Sequence, residues 1–234
     1  MHLPHTAIIL MAGRGTRLKP LTDSLPKVLV PVRGKALVEW IVDEVIAAGV
    51  KHLVMIIGYR GADIQQFFGD GSDRGVHIDY VVQQQLDGTG GALRSAAEYL
   101  SHDYAVIFGD SYFQADRVRQ FIQQAPVNCL AVTRVEDPSR YGIVELDSHG
   151  QVLTLEEKPA QPKSNLAIAG MYKLTPLSRD YIQALNLSPR GEYELPSAVN
   201  AMIADGVVFH AHDIGEMRDV GTHEELQRLN QSDN

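Results

Sequence analysis

The chain has 234 residues, 44% of them hydrophobic and 21% charged, which is ordinary for a globular protein and allows one large α/β domain or two small ones. Its formal charge of −8 argues against nonspecific binding to nucleic acid or to a membrane surface. No apolar run approaches about 18 residues, no signal peptide is recognisable, and the single cysteine, Cys129, excludes an internal disulfide, so we expect a cytoplasmic protein without a transmembrane helix.

Short β-rich runs alternate with amphipathic stretches through the first 135 residues. In the first amphipathic stretch, apolar residues recur at spacings of three and four, which is typical of a helix with one buried face. The alternation favours a doubly wound, Rossmann-like α/β sheet with mostly parallel strands. The predicted strands are 6–11, 52–57, 77–82, 103–108 and 128–134, and the predicted helices are 36–48, 61–68, 89–99 and 114–124.

The pattern changes after residue 135. "YGIVELDSHGQVLTLEEKP" predicts a hairpin around a four-residue turn, and Thr222 with Glu225 predicts a capped final helix. No linker or repeat is recognisable, so we predict a single domain, 1–234, whose second half (136–234) closes over the strand ends of the first (1–135). The other elements predicted here are a strand at 166–174, helices at 176–186 and 193–205, and short strands at 207–211 and 214–217.

Positive charge is concentrated near the N-terminus. Residues 1–35 hold six Lys/Arg and one Asp, a formal charge of +5, whereas the rest of the chain carries −13. Much of this charge lies in "MAGRGTRLKPLTDSLPK", which directly follows a predicted buried strand. A basic loop on an acidic body indicates either a small anionic ligand or only a solvated surface loop.

Two familiar phosphate-binding loops do not fit this stretch. A Walker A loop needs Gly-Lys-Ser/Thr at a fixed distance from the first glycine, and a dinucleotide fingerprint needs a third glycine where Leu18 stands. Pro20 and Pro26 also argue against a helix directly after the loop. What remains is a loop that wraps phosphates with backbone N–H groups and adds side-chain cations.

The stretch "LMAGRGTRLKPLTDSLPKVLVPV" resembles the signature of the sugar-1-phosphate nucleotidyltransferases, L-A-A-G-x-G-T-R-L-x-P-L-T-x-x-x-P-K-x-[LM]-x-P, with Met11 in place of a small residue. The resemblance implies the mixed-sheet fold of that family, with a nucleotide-binding first half and a sugar-binding second half. It implies catalytic roles for Arg17 and Lys27. It implies nucleotide contacts at Leu10, Ala12, Gly13, Gly15 and Thr16.

Three further segments resemble family elements for the nucleobase and the metal. "VVQQQLDGTGGAL" implies nucleobase contacts from Gln83 and Gly88, with Gln84 as the alternative in a run of three glutamines. "FGDSYF" and "RDVGT" imply metal ligands at Asp110 and Asp219, although an acid at the latter position could instead cap the final helix. The expected cofactor is Mg²⁺, which prefers one or two carboxylates plus phosphate oxygens.

The sugar side has its own matching segments. "YGIVE" and "EEKP" imply sugar contacts from Gly142, Glu157 and Lys158. "RGEYEL" implies that Arg190 meets the sugar phosphate, and that Glu192, as an acid at a helix N-terminus, orients the pocket. The nine histidines show no spacing typical of a metal site.

The implied reaction joins an NTP and a sugar-1-phosphate to form an NDP-sugar and pyrophosphate, with glucose-1-phosphate and dTTP or UTP favoured. Alternatives within the class are mannose- or heptose-1-phosphate guanylyltransferases and a phosphocholine cytidylyltransferase, because the choice of base rests on small contacts around residues 83–88. Ser111 and Met217-Arg218 depart from the usual pattern and leave the identity of the sugar open. A noncatalytic nucleotide-sugar regulator is the alternative from another class. A bifunctional enzyme would need hexapeptide repeats, which these residues lack. Apart from these substrates the sequence indicates no nucleic-acid or membrane partner and allows a homo-oligomer.

Overall fold

A mixed sheet runs through the protein and carries helices on both faces. The structure is a computed structural model that describes residues 3–231. The strands are β1 Thr6–Leu10, β2 Pro31–Val32, β3 Lys35–Ala36, β4 His52–Ile57, β5 His77–Val82, β6 Tyr104–Phe108, β7 Ser111–Phe113, β8 Cys129–Arg134, β9 Gly142–Leu146, β10 Val152–Glu157, β11 Leu166–Leu174, β12 His210–Asp213 and β13 Met217–Asp219. The α-helices are α1 Leu21–Ser24, α2 Leu37–Ala47, α3 Gly61–Phe68, α4 Thr89–Ser95, α5 Arg117–Gln124, α6 Ser178–Gln183, α7 Leu195–Ala204 and α8 His223–Gln231.

Within residues 3–231, nine strands form the main sheet, along the path β10-β9-β11-β6-β1-β4-β5, with β8 and β12 joined through β11. The central strand β1 is parallel to both β4 and β6, whereas β11 is antiparallel to β6. Side chains of β1 alternate between two apolar layers: Ile9 packs on the face that carries α2 and α5, and Ile8 on the face that carries α4 and α7. The predicted doubly wound mixed sheet is therefore confirmed.

Most predicted elements of the first half are present. The five predicted strands and the helix at 36–48 are found within two residues of their expected ends, whereas the predicted helix at 89–99 ends at Ser95 and gives way to a 3₁₀ turn. The basic loop differs from expectation, because a 3₁₀ turn at Thr16–Leu18 and the single turn α1 follow its glycines. Pro20 directly precedes α1, where a proline disturbs no intrahelical hydrogen bond.

The second half contains the predicted hairpin, as β9 and β10, and the predicted strand, as β11. The two short strands lie about three residues later than predicted, as β12 and β13. The expected cap of α8 is present, since Thr222 Oγ1 accepts the Glu225 N–H at 3.2 Å. Glu225, however, accepts the N–H of Gly221 at 2.9 Å rather than that of the cap residue itself.

Cys129 is fully buried in β8. Burial raises the pKa of this thiol to about 12, against the opposing effect of Lys173. Among residues 3–231, no helix has both the length and the apolar character needed to cross a bilayer.

Candidate active site

The carboxyl ends of the central strands converge on the basic loop. β1 ends at Leu10, and the chain continues through Met11, whose N–H donates to the Ile56 carbonyl at 2.8 Å. The Met11 side chain is buried in the apolar core, so the departure from the small residue of the signature is accommodated by packing. Gly109, after β6, donates to the Leu10 carbonyl at 2.9 Å. Loop and strand end are thereby fixed beside each other.

Gly15 makes the turn that brings the loop back over Lys27. Its φ is +62°, and a Cβ there would lie 2.8 Å from the Lys27 Cβ, so both conformation and space require glycine. The Thr22 hydroxyl donates to the Gly15 carbonyl at 2.9 Å and closes the turn. Gly13 is different, because a Cβ at that position would meet no heavy atom within 4 Å.

Lys27 lies between the two predicted metal ligands. Its Nζ is 2.8 Å from Asp110 Oδ2 and 3.4 Å from Asp219 Oδ1. Its side chain is only 8% exposed, so the ammonium is held in a low-dielectric position rather than in solvent. Arg17 reaches the other oxygen of Asp219, Oδ2, at 3.7 Å, but is 60% exposed.

A short strand pair, remote in sequence, brings the two acids together. β13 pairs antiparallel with β7, which sets Asp219 opposite Ser111, the neighbour of Asp110. The Val220 N–H also donates to the Asp110 carbonyl at 3.4 Å. Because Thr222 caps α8, the alternative that Asp219 serves as the helix cap is excluded.

The electrostatics of this group follow from burial and proximity. Burial raises the pKa of Asp219, and the Asp110 charge raises it further, while Lys27 and Arg17 lower it. Burial by itself would lower the pKa of Lys27, but the two carboxylates outweigh it and raise that pKa above its ordinary value. Lys27 therefore stays charged at neutral pH.

Two cavities meet at Asp110. The smaller cavity, of about 340 Å³, extends from the basic loop toward β5. Its wall includes these predicted site residues: Leu10, Ala12, Gly13, Lys27, Gln83, Gly88 and Asp110. Gly15 and Thr16 lie outside its wall, where the 3₁₀ turn Thr16–Leu18 begins.

Gln83 follows β5 and is buried, whereas Gln84 is exposed and does not line the cavity. The Gln83 Nε2 donates to Asp87 Oδ1 at 3.0 Å and to the Gly88 carbonyl at 3.2 Å. Gly88 has a φ of +103°, and a Cβ there would lie 2.5 Å from the Tyr193 carbonyl oxygen. The loop is therefore closed by backbone contact with the second half of the chain.

The larger cavity, of about 680 Å³, lies on the other side of Asp110 and is walled mainly by the second half of the chain. Of the predicted site residues it is lined by Arg17, Asp110, Gly142, Glu157, Lys158, Arg190 and Asp219. Thr89, Phe108 and Glu192 line both cavities. Each predicted sugar-side residue therefore faces the same space as the predicted metal ligands.

Arg190 lies among three carboxylates. Its guanidinium is 3.4 Å from Glu194 Oε1, 3.7 Å from Glu192 Oε2 and 3.8 Å from Glu157 Oε1. Burial raises the pKa of Glu157 above its ordinary value, although Lys158 and Arg190 lower it. Lys158 is 3.7 Å from Glu157 Oε1.

Sequence reasoning missed two carboxylates and misplaced a third. Asp87 holds Gln83, and Glu194 holds Arg190; both stand inside quoted motifs, and their acidic character was the available signal. Glu192 is not at the helix N-terminus as predicted, because α7 begins at Leu195 and Glu194 occupies the capping position.

The donor set between the cavities suits a hard divalent cation. Asp110 and Asp219 supply carboxylate oxygens from two strand ends, and both already approach one positive group, the Lys27 ammonium. Oxygen ligands and charge neutralisation are what a hard cation requires. The residues therefore fit a metal ion that phosphate oxygens help to hold.

Comparison with known proteins assigns the chain to a family. The family model described as "Nucleotidyl transferase" matches residues 6–234. The chain belongs to the nucleotidyl transferase family. Members of this kind generally depend on a divalent metal.

Several similar proteins are named as enzymes that act on glucose-1-phosphate. A Streptomyces antibioticus glucose-1-phosphate thymidylyltransferase is 34% identical over 97% of this chain, and a Haloferax volcanii UTP–glucose-1-phosphate uridylyltransferase, AglF, is 33% identical over 96%. A crystal structure of a Bacillus anthracis protein assigned as a glucose-1-phosphate thymidylyltransferase, with sucrose bound, is 31% identical and superposes with a TM-score of 0.85 over 96% of this chain and 93% of that one. The chain spans 95% of the Haloferax uridylyltransferase but only 65% of the Streptomyces enzyme.

Proposed function

We propose that this protein transfers a nucleotidyl group from an NTP to a sugar-1-phosphate, forming an NDP-sugar and releasing pyrophosphate. One observation carries the proposal: the buried Lys27 ammonium stands between Asp110 and Asp219 where the two cavities meet. The smaller cavity suits the nucleotide and the larger one the sugar phosphate, in line with our division into a nucleotide-binding half, 1–135, and a sugar-binding half, 136–234.

The chemistry is an in-line displacement at the α-phosphorus. An oxygen of the sugar phosphate forms the new P–O bond, and the bond to the β-phosphate oxygen breaks, so that pyrophosphate leaves with the electron pair. The nucleophile is already an anion, and no general base is required. The barrier is the approach of two anions, so positioning and charge neutralisation are what the protein must supply.

The residues divide this work by position. The amides of the loop around Gly13 and Gly15 hold the β- and γ-phosphates, and Arg17 closes over them from its exposed position beside Asp219. Lys27 neutralises charge on the α-phosphate and on the attacking phosphate at the cavity junction. Lys158 and Arg190 hold the sugar phosphate in the larger cavity.

Asp110 and Asp219 would hold the metal, which we propose to be Mg²⁺ because their oxygen ligands suit it. When bound, Mg²⁺ would act as a Lewis acid that withdraws negative charge from the phosphate oxygens. The protein's own contribution is to hold both carboxylates at one place beside Lys27 and Arg17.

For the substrates, we propose glucose-1-phosphate with dTTP or UTP, supported by the names of the similar proteins. Gln83 and Gly88 are proposed to read the base at the far end of the smaller cavity. We also propose a cytoplasmic setting for this activity. The support is that Cys129 is buried and is the single cysteine of the sequence, so it has no second cysteine with which to form an internal disulfide.

The test is pyrophosphate release from the purified chain across five nucleotides and a panel of sugar-1-phosphates that includes glucose, mannose and heptose phosphates, with phosphocholine added. Each combination is run with Mg²⁺ and with a chelator. We expect release with dTTP or UTP and glucose-1-phosphate, only when the metal is present. No release in any combination would overturn the enzyme assignment, and release with GTP or CTP alone would overturn the substrate assignment.

A further inference from the structure

A second group of polar side chains lies at the edge of the sheet opposite the proposed active site. Four of the nine histidines, His5, His52, His77 and His102, gather where β1, β4 and β5 begin. Among residues 3–231, the ligand atoms of His52, His77 and Asp79 all lie within 4.8 Å of one another. Nothing in the proposed transfer reaction uses this group.

The sheet register builds the group. His52 and His77 are paired residues in the parallel ladder between β4 and β5, so their side chains leave the same face of the sheet. Their rings stack with centroids 5.4 Å apart at 24°. Asp79 is two residues along β5 from His77 and therefore also projects on that face.

Both histidines direct the same ring atom at one carboxylate. His52 Nε2 is 2.8 Å from Asp79 Oδ2, and His77 Nε2 is 3.3 Å from Asp79 Oδ1. Ligands of a tetrahedral zinc ion at about 2.0–2.1 Å stand roughly 3.3–3.4 Å apart. The distance between His77 and Asp79 matches this spacing, and the distance between His52 and Asp79 is shorter. An ion held by this group would lie at the Nε2 edge of the two rings, beside the Asp79 carboxylate.

The surroundings also suit a metal-bound imidazole. The Thr6 hydroxyl lies 3.2 Å from His52 Nδ1, and a hydroxyl can accept the Nδ1 proton when Nε2 binds a metal. Such a partner on the second ring nitrogen is the usual support of a metal-ligating histidine. His77 is 66% exposed, which leaves an entry path and room for water as a fourth ligand.

We propose that His52, His77 and Asp79 form a binding site for a divalent transition-metal ion of the zinc type. Imidazole nitrogens favour zinc, nickel, cobalt or copper over magnesium, so this site and the oxygen-lined pair Asp110 and Asp219 select different ions. Six residues of β4 separate the two edges of the sheet, about 17–20 Å at 3.3 Å per residue. The bound ion tethers β4 to β5 and is independent of the transfer chemistry.

Sequence spacing gave no sign of this site, because 25 positions separate the two histidines and only strand pairing brings them together. A simple ion pair between Asp79 and protonated histidines would show the same contacts. Added metal distinguishes the two arrangements, because only the metal site binds the ion.

The experiment uses the full chain with any purification tag removed and stripped of metal. Zn²⁺ binding is titrated by competition with a chromophoric chelator, and Co²⁺ is used as a spectroscopic probe of nitrogen coordination. We expect one tight Zn²⁺ per chain, a Co²⁺ spectrum typical of tetrahedral coordination and a higher Tm with Zn²⁺.

His77→Ala removes a ligand at an exposed position and Asp79→Asn removes one at a partly buried position, and His149→Ala is the matched control at an exposed turn. We expect each ligand variant to weaken Zn²⁺ at least about 100-fold and to abolish the Tm shift, while the control binds normally and Mg²⁺-dependent turnover is unchanged in all three. Absence of Zn²⁺ binding to the parent chain, or equal binding by His77→Ala and the control, would overturn the proposal.

Discussion

The loop side and the sugar side of the cleft hold their cations in different ways. All three cations have carboxylate neighbours, but Lys27 is 8% exposed and is fixed by the Gly15 turn packed against it, whereas Arg190 and Lys158 are 32% and 47% exposed. A packed cation cannot move far, while an exposed one can exchange a glutamate for a phosphate. We therefore predict that the loop side sets the rate of the proposed transfer and the sugar side sets affinity for the acceptor.

Replacement of Lys27 tests the loop side most severely. Lys27→Met keeps the apolar stem and removes the ammonium between Asp110 and Asp219. Loss of one preorganised charge that stabilises a transition state lowers turnover about 10³-fold, and we expect that loss in kcat with both substrates saturating. Pyrophosphate release is the measurement.

The matched control is Lys19→Ala, because Lys19 lies in the same loop but is 60% exposed and its ammonium pairs with Asp23 at 3.1 Å. Its kcat is expected to stay within about twofold of the parent. Equal kcat values for Lys27→Met and the parent would remove Lys27 from the mechanism. A parent protein that binds nucleotide without releasing pyrophosphate would instead identify a noncatalytic regulator.

On the sugar side the largest effect is expected from Arg190→Ala. A hydrogen bond to a charged group contributes about 1.5–3 kcal/mol, so KM for the sugar phosphate should rise about 10- to 100-fold. The KM for the NTP should not change, because Arg190 does not line the smaller cavity.

Lys158→Ala provides the comparison within that wall. Lys158 is the more exposed cation and a compact point charge, and its removal should raise KM for the sugar phosphate less than removal of Arg190. If Arg190→Ala lowered kcat at saturation as strongly as Lys27→Met, the division of labour between the two sides would be wrong.

The hydrophobic pattern of the sequence predicted those strands that are recognisable from their own residues. β1, β4 and β6 were predictable because their buried, apolar runs need no partner to be recognised. β7 was missed, because three residues become a strand only by pairing with β13, about a hundred positions away.

The site shows the same limit. Family motifs identified Lys27, Asp110 and Asp219 as separate residues, but only the tertiary structure shows that the lysine lies between the two acids. Glu194 was missed because its contact with Arg190 depends on how the loop folds before α7. Sequence therefore indicates which chemistry is present, while the contacts that tune it come from pairing remote in the chain.

Gly13→Ala is expected to have an intermediate effect on the loop side. The added methyl group meets no atom within 4 Å, so Tm should stay within about 1 °C of the parent. The same methyl group projects where the phosphates are proposed to lie against the loop, and KM for the NTP should rise roughly tenfold.

The KM for the sugar phosphate serves as the internal control for this variant. A stable Gly13→Ala protein with an unchanged NTP KM would show that the triphosphate does not contact this part of the loop.

The smallest expected effect concerns pH and the sugar side. Burial raises the pKa of Glu157, so the folded chain keeps this proton at pH values where the unfolded chain has lost it. Stability from this group is therefore fully present below the ordinary glutamate value of 4.5 and decreases as pH rises through the raised pKa. Glu157→Gln cannot titrate and should lack that decrease.

The measurement is the Tm of Glu157→Gln minus that of the parent between pH 4 and 8. This difference should increase with pH by on the order of 1–4 °C and then level off, whatever constant offset the lost contacts with Arg190 and Lys158 produce. Glu156→Gln, at the exposed neighbouring position, is the control. A difference that stays flat, or decreases, would mean that the cations around Glu157 outweigh its burial, and that the sugar side is already organised for charge before a phosphate arrives.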